Sequence, residues 1–293
     1  MSDKVAYLGL GHMGGPMAMH LANAGHDIAV YNRTRSKAEA FVTRYGGRIA
    51  RTPADAVDGA VYVGMCVFGD DDVKTVTMGE DGAFHSMSPD AVFLDHTTAT
   101  AETAELLGSE ARKRGFYYLD APVAGAEEAS KAGQLTIMIG GPEEGFEVAR
   151  PFLNTYAKAA ELMGPNGHGQ LTKMVNQILI SANMQGLAEG IVMGRESGLD
   201  MEKVLDLLGQ GSAQSWWLDN RGSRMARAEL DQSDGGTANM TKDLGICLNE
   251  ARRQGVALPI TSLISQFYVE VSARGRAAWE STGLITLWDK RYK

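Results

Sequence analysis

A Gly-x-Gly-x-x-Gly run, Gly9, Gly11 and Gly14, stands between the β-rich Val5–Leu10 and the helical Met17-Ala-Met-His-Leu-Ala. That spacing suits the grip of a pyrophosphate. Gly9 permits a tight turn, Gly11 lets backbone approach the phosphates and Gly14 lets helix and strand pack closely. Free N–H groups at the helix start meet the negative charge. His12 and Met13 lie in the same loop and are expected to share the cofactor contact. In such a unit the second strand usually ends on an acid that bonds the ribose hydroxyls of NAD. Here that place holds Asn32-Arg33-Thr34-Arg35. Asn32 does not repel a 2′-phosphate, Arg33 can grip one through a bidentate charge-assisted contact, and Thr34 adds a donor. NADP is therefore favoured; the alternative is NAD, with Arg33 and Arg35 as solvated loop charges.

A second polar set is Lys173, Asn176 and Gln177, which share one helical face at spacings i, i+3 and i+4. Near the positive end of a helix an ammonium group is disfavoured, and a lysine so perturbed suits a general base. Spacing alone fits an exposed helix lysine equally well. Lys242, beside Asp243, reads from spacing as a charged pair on a solvated helix. His12, His96 and His168 lack ligand spacing and a partner acid, so no metal is expected. Cys66 and Cys247 form no Cys-x-x-Cys pair, a pattern that fits reduced thiols in a cytoplasmic protein.

The apolar pattern locates the elements that must position these groups. β-rich runs at Val5–Leu10, Asp27–Tyr31, Arg48–Ala50, Val61–Val67, Val92–Asp95, Tyr117–Asp120, Leu135–Ile139 and Ala160–Met163 alternate with helical stretches. Alternation predicts an α/β fold: a Rossmann-type doubly wound parallel sheet over residues 1–164, with ligands at the carboxyl ends of its strands. Val67-Phe68 and His96-Thr97-Thr98 follow two such ends. Beyond Gly164 the strand signals stop. Leu171, Met174, Val175, Ile178, Leu179, Ala182, Leu187 and Ile191 predict one long helix over about 168–196. Asp200 caps a further helix, and others are expected over Met240–Arg253 and Pro259–Arg274. Residues 165–293 thus read as an all-α C-terminal domain. With 293 residues, 44% hydrophobic, the chain can bury two cores. Its 28 basic and 36 acidic residues, a formal charge of −8, argue against nucleic-acid or anionic-lipid partners. No apolar run reaches the about 18–20 residues of a membrane helix.

Four motifs stand in order between Val5 and Leu244: Gly9-Leu-Gly-His-Met-Gly-Gly-Pro-Met17-Ala, Asp120-Ala-Pro-Val-Ala-Gly125-Ala, Gly167-His-Gly-Gln-Leu-Thr-Lys173-Met-Val-Asn176-Gln and Lys242-Asp-Leu244. Together they resemble the β-hydroxyacid dehydrogenase family, which includes 3-hydroxyisobutyrate dehydrogenase and tartronate-semialdehyde reductase and is related to 6-phosphogluconate dehydrogenase. The resemblance implies an NAD(P)-dependent oxidoreductase acting at the alcohol or carbonyl carbon of a short 3-hydroxy acid or its semialdehyde. It gives Lys173 the general acid–base role. Asn176 would bind substrate and help place the lysine, Gln177 stands where a second Asn is common, and Lys242 would reach cofactor and substrate. Val67, Phe68 and Thr97 would contact the nicotinamide side. The small-molecule substrate is the implied partner, with second-domain helices joining subunits into a homodimer or homotetramer. Trp216 and Trp217 fit either a substrate-pocket wall or helix packing.

The substrate loop departs from the family's usual Asp-Ala-Pro-Val-Ser-Gly-Gly, because this chain has Ala124, Gly125 and Ala126. Backbone N–H groups of Gly125 and Ala126 still suit an anion. The absent hydroxyl removes a contact to a charged group worth about 1.5–3 kcal/mol. Glu127 and Glu128 follow and must turn outward for an anion to bind. Two other readings stay open. An imine or neutral-carbonyl reductase on the same scaffold would tolerate Ala124, but such enzymes usually replace the lysine on the long helix. A dinucleotide-sensing protein without turnover would have no need of Lys173, Asn176 and Lys242 together.

Overall fold

The computed structural model describes residues 2–233 and 235–292. The chain divides into two compact units, Met1–Lys173 and Met174–Lys293. In the first unit, strands β1 (Lys4–Leu8), β2 (Asp27–Tyr31), β3 (Arg48–Ile49), β4 (Tyr62–Met65), β5 (Val92–Asp95), β6 (Tyr117–Asp120), β7 (Val123–Ala124), β8 (Leu135–Gly140) and β9 (Ala157–Gly164) form one sheet. Between them run α1 (Gly14–Asn23), α2 (Arg35–Tyr45), α3 (Pro53–Val57), α4 (Asp70–Met78), α5 (Ala101–Arg114), α6 (Ala126–Lys131) and α7 (Glu143–Leu153).

The sheet follows the order β3-β2-β1-β4-β5-β6-β8-β7, with β9 also paired to β8. Its strands are apolar on both sides, as a parallel sheet covered by helices requires. Val5 and Tyr7 of β1 pack with Met17 and Leu21 of α1, while Ala6 and Leu8 pack on the other face with Val63 and Phe93. From β3 to β6 every pairing is parallel. The expected parallel order breaks at β8, which runs antiparallel to β6 and β7. Only residues 125–134 join β7 to β8, shorter than the dozen or so that a parallel crossover needs, so the chain turns back on itself.

Helix α8 (His168–Glu196) carries the unit boundary within it. The second unit continues with α9 (Met201–Leu208), α10 (Trp216–Arg227), α11 (Gly236–Gln254) and α12 (Pro259–Val271). The Asp200 side chain accepts from the Lys203 N–H and caps α9 as its sequence suggests. The core of this unit includes Met184, Ile191, Leu205, Met225, Leu244, Ile264 and Tyr268. α11 starts ahead of the expected Met240, and α12 stops before Arg274, shortly ahead of Gly275 with its φ of 79°. Among the described residues no helix is long and apolar enough to cross a membrane.

Candidate active site

The turn from β1 into α1 has the form of a phosphate cradle. Gly9 holds a φ of +94°, and a Cβ there would lie 2.2 Å from the Cys66 carbonyl oxygen. A Cβ on Gly14 would lie 2.1 Å from the Gly9 oxygen, so strand and helix meet at a distance only glycine permits. At Gly11 an added Cβ meets nothing within 4 Å; the space above the turn is open. α1 has no acid in its first turn and no side-chain cap, which leaves its leading N–H groups suited to an anion. These residues fit a dinucleotide. His12 is exposed and Met13 half-buried at the rim.

Asn32 is held by two backbone contacts. Its Oδ1 accepts from Leu10 N–H at 2.8 Å and its Nδ2 donates to the Thr34 carbonyl at 2.9 Å. The amide clips the loop after β2 to the glycine turn. Arg33 and Thr34 are exposed beside it. The Arg33 guanidinium already has a partner, since Nη1 lies 2.9 Å from Asp72 Oδ1 in the first turn of α4.

At the ends of β4 and β5 the backbone is tied down. Val67 N–H donates to Thr97 Oγ1 at 3.0 Å, and Thr97 N–H donates to Asp95 Oδ1 at 2.9 Å. Phe68 is exposed. Burial pushes the Asp95 carboxyl up to about 6 despite the donors of Thr97 and Tyr118. His96 points inward: Nδ1 lies 2.7 Å from the Ala121 carbonyl and Nε2 2.9 Å from the Tyr156 hydroxyl. Burial lowers its pKa to about 4, which makes it a neutral structural histidine.

The start of α8 is fixed by a buried carboxylate. Asp120, at the end of β6, accepts from Gly167 N–H at 2.8 Å through Oδ1 and from Gln170 N–H at 3.0 Å through Oδ2. These are orphan donors of the helix N-terminus. Burial raises the Asp120 carboxyl to about 7, against the pull of those amides and of Asn166. Gly169 admits the close approach, because a Cβ there would stand 2.5 Å from the Asp120 carbonyl oxygen. One turn on, Lys173 is only 7% exposed, and its Nζ donates to the Val123 carbonyl at 2.8 Å. Lys173 is therefore not an exposed helix lysine; its head group is held against the substrate-loop segment.

That segment becomes a short helix, α6, where the sequence suggested only a loop. Gly125 has a φ of 136°, and Ala126 is left-handed at 54°. Glu127 is turned aside, its carboxylate 3.4 Å from His12 Nδ1 and 2.8 Å from Lys131 Nζ. Ser130 Oγ donates to the Met13 carbonyl at 2.9 Å, joining α6 to the glycine turn. Ala124 is half-buried and pairs with Thr136.

In the second unit, Asn176 Nδ2 donates to Gln177 Oε1 at 2.9 Å, and Gln177 Nε2 donates to Asp243 Oδ2 at 2.5 Å. Lys242 Nζ lies 3.1 Å from Asp243 Oδ1. The expected Lys242–Asp243 pair is thus present but not solvated, since Asp243 is buried and linked to α8. Trp216 and Trp217 stack edge to face, with Trp216 exposed and Trp217 packed against the helical core. His168 is exposed, and no group of three His, Cys, Asp or Glu able to hold a metal occurs among the described residues. Asp120 and Gln170 stand inside two of the quoted motifs, but their clamp on α8, like the Asp72 contact to Arg33, joins positions distant along the chain and has no local signal.

Residues 4–164 match the family described as the NAD binding domain of 6-phosphogluconate dehydrogenase. Residues 167–288 match the one described as the NAD-binding domain of NADP-dependent 3-hydroxyisobutyrate dehydrogenase. An oxidoreductase of uncharacterised activity from Shewanella frigidimarina is 46% identical over 98% of each chain. The NAD-dependent L-serine dehydrogenase of Pseudomonas aeruginosa is 32% identical, again over 98% of each. A solved structure of Mycobacterium tuberculosis 3-hydroxyisobutyrate dehydrogenase with L-serine superposes with a TM-score of 0.86 at 25% identity, covering 98% of this chain and 99% of that one. Fold and site define an NAD(P)-dependent oxidoreductase. The chain belongs to the β-hydroxyacid dehydrogenase family.

Proposed function

We propose that the chain is an NADP(H)-preferring dehydrogenase of a short 3-hydroxy acid, or reductase of the matching semialdehyde, with Lys173 as general acid–base. The observation that carries this reading is Lys173 itself, buried and anchored to Val123 one turn beyond the Asp120 clamp. When bound, the cofactor supplies the hydride acceptor or donor. In oxidation the neutral Lys173 amine takes the proton of the substrate hydroxyl; in reduction its ammonium returns that proton to the carbonyl oxygen. The amides of Gly125 and Ala126 hold the substrate carboxylate; Asn176, Gln177 and Lys242 are the other substrate-binding residues in this reading. Gly9, Gly11, His12, Met13 and Gly14 hold the pyrophosphate, and Arg33 with Thr34 holds the 2′-phosphate. Val67, Phe68 and Thr97 face the nicotinamide. In this reading residues 1–164 are the cofactor domain, and residues 165–293 bind substrate and join subunits in a cytoplasmic homo-oligomer. The names of two relatives mention L-serine, itself a 3-hydroxy acid.

Ala124 favours a second reading, a reductase of a neutral carbonyl or imine, because the loop lacks a hydroxyl donor for a carboxylate. A turnover panel with NADPH and NADH against 3-hydroxyisobutyrate, L-serine, tartronate semialdehyde, neutral aldehydes and cyclic imines separates the two. Lys173→Ala should lower kcat by about 10²–10⁴-fold while NADPH affinity stays near that of the wild type. Retention of a substantial fraction of kcat at neutral pH would remove Lys173 from the mechanism.

A further inference from the structure

Gln170 is 1% exposed and every polar group it offers toward the sheet is engaged. Its N–H donates to Asp120 Oδ2 at 3.0 Å, its Oε1 accepts from Ala99 N–H at 3.1 Å, and its Nε2 donates to the Thr97 carbonyl at 2.8 Å. The partners fix which way the amide points, since Ala99 N–H can only donate and the Thr97 carbonyl can only accept. Thr97 in turn takes Val67 N–H on its hydroxyl and gives its own N–H to Asp95. One side chain therefore ties the turn that carries Lys173 to the loops following β4 and β5, at the strand ends where sheets of this kind bind their ligands.

We propose that Gln170 is a positioning residue: it holds Lys173 in register with the Thr97 and Val67 loops, so that proton acceptor and hydride partner meet the same carbon. This rests on the reading of Lys173 as the acid–base group. Misplacement by about 1 Å can cost about 10²-fold in rate, so the register has kinetic weight. Leucine at 170 keeps the volume and removes both side-chain bonds. Glutamate at 170 keeps the acceptor but sets a carboxylate oxygen against the Thr97 carbonyl until it is protonated. Asp95 and Asp120 are the carboxylates linked to this position, and both disfavour a third charge.

The test compares wild type, Gln170→Leu, Gln170→Glu and Lys173→Ala. In the cofactor-free protein, amide exchange at Ala99 should quicken by about tenfold or more in Gln170→Leu. Single-turnover hydride transfer should fall by about 10–10²-fold. The isotope effect from 4-deuterated NADPH should rise toward its limiting value while NADPH affinity stays near wild type; Tm should fall, because the Ala99 N–H and the Thr97 carbonyl lose buried partners. Gln170→Glu should be impaired at pH 8 and regain activity relative to wild type as pH falls and the acid becomes a donor. Unchanged Ala99 exchange with wild-type hydride transfer would overturn the proposal. So would a loss of turnover matched by an equal loss of NADPH affinity. Should Gln170→Leu not fold, a Gln170→Glu enzyme whose relative activity does not respond to pH overturns it instead. If Lys173→Ala keeps turnover, the lysine reading fails; a dead Lys173→Ala beside a fully active Gln170→Leu sinks only the positioning role.

Discussion

Arg33 and Asp72 place two opposite charges 2.9 Å apart beside the loop that follows β2. Arg33 is largely exposed, and such pairs contribute little to stability, so the contact matters chiefly for what a cofactor meets there. In the proposed NADP(H) reading, a 2′-phosphate would share the guanidinium with a carboxylate of its own sign. Asp72→Asn removes that competitor and should lower the KM for NADPH about 1.5- to fivefold, a change the size of an exposed charge contact, with NADH little affected. Arg33→Ala should raise the KM for NADPH and spare NADH, which lacks the phosphate. Steady-state kinetics with both cofactors decides. If Asp72→Asn instead raised the KM for NADH, the carboxylate would be the acid that binds ribose hydroxyls, supplied from α4, and the NADP preference would fall. Arg33 was legible in the sequence because it follows β2 directly. Asp72 was not, because nothing local brings position 72 to position 33.

At the scale of elements, legibility followed the length of the apolar run. β1, β2, β4, β5 and β6 are mostly buried stretches of four or five residues and stood out as strands. β7 has two residues and α6 six, too few to show a period, and both exist because the loop is held by β8 and by the glycine turn. α8 was visible from its spacing, but the Asp120 clamp that starts it is a tertiary contact between positions 120 and 167–170. The substrate loop is where the family's pattern is altered, and the altered residue lies in β7. Ala124→Ser restores a hydroxyl beside the Gly125 and Ala126 amides. A bond to a charged group is worth about 1.5–3 kcal/mol, so kcat/KM for short 3-hydroxy acids should rise by about tenfold or more. A neutral aldehyde has no charge for that hydroxyl to meet, and its kcat/KM should stay flat or fall. Wild-type preference for the neutral substrate, unaltered by the added serine, would transfer the enzyme to the second class.

For the whole molecule the exposed face of α8 bears most directly on assembly. Val175, Leu179 and Met193 are 58%, 59% and 69% exposed, and Ala182, Gly186 and Gly190 continue the same apolar stripe. Nothing lies within 4 Å of a Cβ built on Gly186 or Gly190, so another helix could approach the backbone there. Contiguous apolar surface of this kind marks an interaction site more often than solvated surface. The formal charge of −8 opposes random association, so contact between copies must come from a matched patch. A homo-oligomer formed through α8 puts Leu179 within that patch. Leu179→Glu would then bury an unpaired carboxylate at each copy of the contact, a cost of several kcal/mol that drives dissociation. Sedimentation velocity at micromolar protein should show a homodimer or homotetramer for wild type and a shift toward monomer for the variant, with far-UV circular dichroism unchanged. A monomeric wild type, or a variant of unaltered mass, would show that this face of α8 serves something other than self-assembly.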